Sequence, residues 1–170
     1  MTAARADLNG IKTELKALFD ANNTTTSTII DLSSGLAGGR RVKQVLTYNP
    51  EMIRPQASFF PLVTCFVESK TWRSEDMAGA SLNSVRRAQL TLKVVGSLWN
   101  DNLVDIKKDP ADDDINYLME NIELILRSSP NLGGKVTWQK ATDVKYYTTV
   151  LNQQTHLRSG VLTLDCEVFY

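Results

Sequence analysis

The sequence predicts a single α+β domain: a mostly antiparallel sheet packed against an N-terminal helix and a second helix in mid-chain. Three observations carry that expectation. Apolar residues recur at helical spacing over Met1 to Asp20 and again over 109–128. Several other segments alternate apolar and polar residues with the period of a half-buried strand, most cleanly Val85 to Leu98. At 170 residues the chain has the length of one domain, which buries about two-thirds of its unfolded surface.

In the first helix, Ala4, Leu8, Ile11, Leu15 and Leu18 share a face, with Lys12, Glu14 and Lys16 largely off it. Asn22 to Thr26 ends it, and the Ser- and Gly-rich run Ser33 to Gly39 reads as a mobile loop. A short strand is predicted at Val42 to Tyr48, and a stronger one at Leu62 to Glu68, where Val63, Cys65 and Val67 share a face. Residues 69–84 are polar and too long for a tight hairpin turn, so they read as an extended loop or arm. In Val85 to Leu98, Ala88, Leu90, Leu92 and Val94 alternate with Arg87, Gln89, Thr91 and Lys93, giving a buried face and a wet one.

The start of the mid-chain helix has several agreeing signals: Asp109 as N-cap, Pro110 in the first helical position, and Asp112, Asp113 and Asp114 at the positive end of the dipole. Its apolar stripe is Ile115, Leu118, Met119, Ile122, Ile125 and Leu126, and Ser128-Ser129-Pro130 stops it. This stripe is expected to lie across the buried face of the sheet. Strands at Val136 to Thr148, with Trp138, Val144 and Tyr146 on one parity, and at Gly160 to Tyr170 are expected to pair as a hairpin through an exposed polar turn at Asn152 to Thr155.

Composition narrows the function classes. Lys plus Arg and Asp plus Glu number 19 each, so the chain lacks the basic excess of a protein whose affinity comes from phosphate contacts. Two cysteines, Cys65 and Cys166, lie in apolar alternating segments and read as small buried hydrophobes rather than a disulfide framework. Met1 to Asp20 carries Asp7, Glu14 and Asp20 and does not resemble a secretory signal, and no run approaches a membrane span, so synthesis in the cytoplasm with reduced thiols is expected.

Material for catalysis is thin. His156 is the sole histidine and is read as an exposed residue beside the turn. Consecutive helical positions point Asp112, Asp113 and Asp114 in different directions, which suits dipole compensation better than a metal. Gly38-Gly39 and Gly133-Gly134 lack the spacing of a phosphate-binding loop and read as turns. Trp72, Trp99 and Trp138 are scattered and read as core or interface anchors. No enzyme activity, cofactor or metal is expected.

The order of features carries a resemblance. An N-terminal helix is followed by the aromatic-Pro-apolar entry Phe59-Phe60-Pro61-Leu62-Val63-Thr64-Cys65-Phe66-Val67, a long arm, an alternating strand and an acidic-capped helix. Asn131-Leu132-Gly133-Gly134-Lys135-Val136 and two closing strands complete the order. From about Ile11 to Tyr170 this resembles the tail terminator, or tail completion, proteins of long-tailed bacteriophages, at the level of pattern. The loop Ser33 to Gly39 and the segment Arg40 to Ile53 are longer than that pattern.

The resemblance implies a virion neck protein, usually a hexameric ring, that sits on the last tail-tube ring, ends tube polymerisation and offers the head its docking surface. Its partners would be further copies of itself, the tail tube protein and a head-tail connector or stopper. DNA would pass through the lumen without specific binding, and no membrane would be involved. A heterologous contact closes into a ring when its rotation divides a full turn. Candidate contacts are Trp72, Arg73, Glu75 and Asp76 on the arm, with Arg40 and Arg41 as partners for acidic surface. A connector stopper or other neck protein is an alternative within the same context, and a small cytosolic enzyme with an unrecognised site is one outside it.

Overall fold

The computed structural model describes residues 7–27, 30–52, 54–72, 87–101, 111–152 and 155–169. Among these, helix α1 (Leu8–Ala21) is followed by strands β1 (Gln44–Leu46), β2 (Leu62–Trp72) and β3 (Arg87–Asn100), helix α2 (Ala111–Arg127), and strands β4 (Trp138–Val150) and β5 (His156–Phe169). The strands form one sheet in the order β1-β2-β3-β5-β4. Its pairs are antiparallel apart from β1, which runs parallel to β2. This is the α+β domain that the sequence predicts.

Both helices lie on the same face of the sheet. Asp7 caps α1 by accepting the Gly10 N–H at 2.8 Å, and Ile11, Leu15 and Phe19 are buried. The Asp7 carboxyl is held below its usual value, first by that backbone N–H and then by Lys135, which ties the helix start to the turn after α2. The whole expected stripe of α2, Ile115 to Leu126, is buried against Leu90, Leu92, Val94, Leu98, Leu162 and Leu164. The start of that helix at Asp109 and Pro110 lies outside the described residues.

Two glycines fix how close α2 comes. Gly96 and Gly160 are register partners on β3 and β5, both facing the helix. A Cβ on Gly96 would lie 2.9 Å from Leu118 Cδ2, and one on Gly160 would lie 2.4 Å from Met119 Cγ. The bare backbone of the pair is therefore the seat on which Leu118 and Met119 rest.

Several expectations need correction. The run Ser33 to Gly39 is not a mobile loop, because α2 pins it. Asn121 Nδ2 donates to the carbonyls of Leu32 at 3.1 Å and Ser34 at 2.8 Å, and Asp114 Oδ1 accepts the Ala37 N–H at 2.8 Å. Leu32 and Leu36 are buried beneath it. Asp114 is thus more than dipole compensation, since its buried carboxylate organises this loop. His156 is not exposed: it is buried at the start of β5, and Thr155 beside it is buried too. β2 runs on to Trp72, so the arm expected at 69–84 starts as strand, and its residues 73–84 lie outside the described residues.

The strand bulges explain the last correction. Register shifts between Ala141 and Asp143, and again between Val67 and Ser69. The first flips parity along β4, so Trp138 shares a face with Lys145 and Tyr147, while Val144 and Tyr146 point to the helix side. Gln139, also on the helix side, donates through Nε2 to the carbonyls of Leu126 at 2.8 Å and Ser129 at 2.7 Å, which satisfies the C-terminal end of α2.

Candidate functional site

The sheet face away from the helices carries a hydrogen-bonded polar ladder. Lys93 Nζ donates to Thr163 Oγ1 at 2.9 Å and Thr91 Oγ1 to Asp165 Oδ1 at 3.1 Å. Ser97 meets Ser159 at 2.9 Å, and Trp138 Nε1 donates to Glu167 Oε2 at 3.1 Å. These are cross-strand pairs that make a wet face self-sufficient. Towards the Phe60 end the face turns apolar, and an open groove of about 1090 Å³ lies between Tyr48, Pro50 and Pro55 on one side and Tyr147, Thr149 and Leu157 on the other, over Leu62 and Val95.

The terminal strand β4 is the second feature. Thirteen residues long, it has no described strand beyond it. Leu151 N–H donates to the Thr155 carbonyl at 2.9 Å, so Leu151 and Thr155 form a hydrogen-bonded pair next to the paired residues Val150 and His156. Antiparallel alternation then aims the backbone N–H and C=O of Val144, Tyr146, Thr148 and Val150 away from β5. Large apolar side chains crowd the same stretch: Tyr146 and Tyr147 are 42% and 49% exposed and Val150 is 64% exposed. A long edge lined with aromatic and branched residues is a template for another chain.

The expected contact residues fall in two places. Arg40 and Arg41 lie just before β1, which aligns with β2 at Leu62. Trp72 lies ten residues further along β2, about 33 Å away at the rise of a strand. Both arginines have acidic partners within the chain. Arg41 grips Asp31 at 2.9 and 3.2 Å, and Arg40 approaches Asp114 at 2.9 Å, a charge contact rather than an aligned hydrogen bond. Each tethers the 31–40 loop. Trp72 stands partly exposed under Lys70 Nζ, 3.9 Å from its ring centre, and burial lowers the Lys70 pKa. Arg73, Glu75 and Asp76 lie outside the described residues.

The aspartates at the start of α2 diverge: Asp112 reaches Arg158 at 2.6 Å, while Asp114 turns to Ala37 and Arg40. Among the described residues no group of three or more His, Cys, Asp or Glu is placed to hold a metal ion, and no helix is long and apolar enough to cross a membrane.

Sequence reasoning missed Tyr146, Tyr147 and Val150 as a surface. Its strand ended at Thr148, and the signal was the run Tyr146-Tyr147-Thr148-Thr149-Val150, in which strand-forming residues occupy both parities with no charge between them.

Burial pushes the thiols of Cys65 and Cys166 up to about 12 from an ordinary value of 9.0. Both are expected to stay silent towards a thiol reagent at pH 8 until the protein is unfolded by denaturant, and prompt labelling of the native chain would contradict their packing. Above the unfolded thiol pKa the unfolded chain has lost protons that the native chain still holds. Stability is therefore expected to fall as pH rises from about 9 towards 12.

No protein-family model matches the chain, and no curated protein matches it either.

Proposed function

We propose that this chain is a structural subunit that closes into a ring and caps the tail tube of a long-tailed bacteriophage, ending tube polymerisation and presenting a docking surface to the head. The observation that carries the assembly half of this reading is the edge of β4, beside which no described strand lies, with Tyr146, Tyr147 and Val150 exposed along it. An edge of this kind favours a second chain over solvent. The element order resembling tail terminators supplies the phage half, and a formal net charge of zero suits a conduit through which DNA slides without being held. The action is binding rather than catalysis, and the place of action is the virion neck.

Native mass spectrometry of the full chain, with electron microscopy of the same sample, tests the reading. The expected result is a closed ring of about six subunits with a central hole. Mixed with tail-tube subunits from the same source, the ring is expected to sit at one tube end and arrest elongation. A strict monomer at micromolar concentration, or tubes that elongate unchanged, would overturn it.

A further inference from the structure

We infer that two copies of the chain pair edge to edge about a twofold axis, with residues 143–151 of β4 antiparallel to the same stretch of the second copy and Tyr147 opposite Tyr147. The inference goes beyond the ring reading. One edge cannot serve two contacts at once, so the twofold pair is the form of the chain outside a ring.

The edge itself sets the length of the contact. At the Trp138 end the Gln139 N–H donates to the Pro130 carbonyl at 3.0 Å, and Gln139 Nε2 to the carbonyls of Leu126 and Ser129, so the turn after α2 covers β4 there. The bulge between Ala141 and Asp143 then interrupts the ladder. At the other end the chain turns at Asn152, whose N–H donates to the Thr155 carbonyl. Between these limits lies 143–151, with no described strand beside it and Tyr147 at its midpoint.

Backbone polarity fits self-pairing about that midpoint. The outward N–H and C=O groups belong to Val144, Tyr146, Thr148 and Val150. With Tyr147 on the axis, Val144 meets Val150 of the second copy and Tyr146 meets Thr148, and symmetry supplies the reverse pairs. Every outward group therefore finds an outward group. A slide of one residue sets outward groups against inward ones. A slide of two puts Val150 against the bulge at Thr142 in one direction and Val144 against the turn at Asn152 in the other.

Side-chain chemistry agrees. The axis is perpendicular to the sheet, so each face continues across the pair. On the helix side Val144 and Val150 form an aliphatic pair at each end, covering a valine that is 64% exposed in the single chain. On the other side the two Tyr147 rings meet at the centre, and because Tyr147, Thr149 and Leu151 line the groove, the grooves of the two copies join there. The stretch has one residue of each charge, Asp143 and Lys145, 3.5 Å apart within their own chain. Across the axis they face Leu151 and Thr149, so no like charges are opposed. The contact is isologous, the same patch on both copies.

The test uses full-length protein below the concentration at which rings form. In the single variant Tyr147→Cys, the two thiols face each other at a non-hydrogen-bonded pair with Cα atoms about 4.5 Å apart, within reach of a disulfide. Cys65 and Cys166 are buried and do not compete. Mild oxidation is expected to give a covalent dimer. Lys145→Cys is expected to give none, because its counterpart lies about 13 Å along the second strand.

Sedimentation over a dilution series supplies an independent readout. Thr149→Lys sets a lysine against Lys145 at both ends and is expected to weaken the dimer about tenfold, while Thr149→Glu strengthens it. Thr148→Pro removes an outward N–H and no bond to β5, so the dimer is expected to be lost with the melting temperature nearly kept. No covalent dimer from Tyr147→Cys, or Thr149 variants of equal affinity, overturns the twofold contact. A wild-type ring without that dimer overturns this contact alone, and a dimer with no ring at any concentration overturns the ring reading alone.

Discussion

Leu118→Ala is expected to destabilise the domain by about 3 to 5 kcal/mol, the upper part of the range for a buried leucine. Leu118 is fully buried, and its Cδ2 rests on the bare backbone of Gly96. A neighbour with a flexible side chain could partly refill the space. Gly96 has none, and the flanking strands β3 and β5 are held by their full register, so the floor of the cavity cannot rise to fill it. Urea denaturation is the measurement: the midpoint should fall with the slope unchanged. A loss below about 1 kcal/mol would mean that α2 does not sit on the glycine pair as described.

The second large effect is expected at Asn121. This buried side chain gives both its donors to backbone carbonyls of the 31–40 loop, those of Leu32 and Ser34. Asn121→Leu keeps the volume and removes both donors, leaving carbonyl groups under a packed loop without their partners. The expected cost is about 2 to 4 kcal/mol, since each unmet buried group costs about 1 to 3 kcal/mol. Hydrogen exchange offers a local check. The Ala37 amide, whose N–H is bonded to Asp114, should lose protection in the variant even where the rest of the core keeps it. Unchanged stability would show that the loop is held by Leu32 and Leu36 alone.

The helices and the buried strands were legible because burial writes a period into the sequence. Ile115 to Leu126 and Ala88 to Val94 each obey one, and each is packed where the period puts it. The Ser33 to Gly39 run was misread because its composition is that of a linker, while its order comes from Asn121 and Asp114, about ninety residues away in sequence at most. No local pattern encodes so distant a hydrogen bond. His156 was misread for the same reason: a polar neighbourhood suggested solvent, but the residue starts a central strand. On β4 the bulge beyond Ala141 breaks the alternation on which parity depends, so Trp138 was grouped with Val144 and Tyr146, which face the other way.

The candidate surface was the least legible part. Arg40 and Arg41 drew attention as a paired charge, yet each is engaged with a carboxylate of its own chain. An edge, by contrast, is a property of topology. Nothing in Tyr146, Tyr147 or Val150 alone says that their strand is last in the sheet, since that depends on where β5 and β3 pair.

Gln139 has a mechanical consequence. A strand at the rim of a sheet usually peels first, because one ladder of hydrogen bonds holds it. Here the Trp138 end of β4 is also fastened to the close of α2, where Gln139 serves two carbonyls at once. Load applied along the rim from that end is shared with a buried helix, and at the other end Thr148 is tied through Arg158 to Asp112 of the same helix. The rim strand therefore shares load with α2 near both of its ends, through Gln139 at one and through Thr148 and Arg158 at the other.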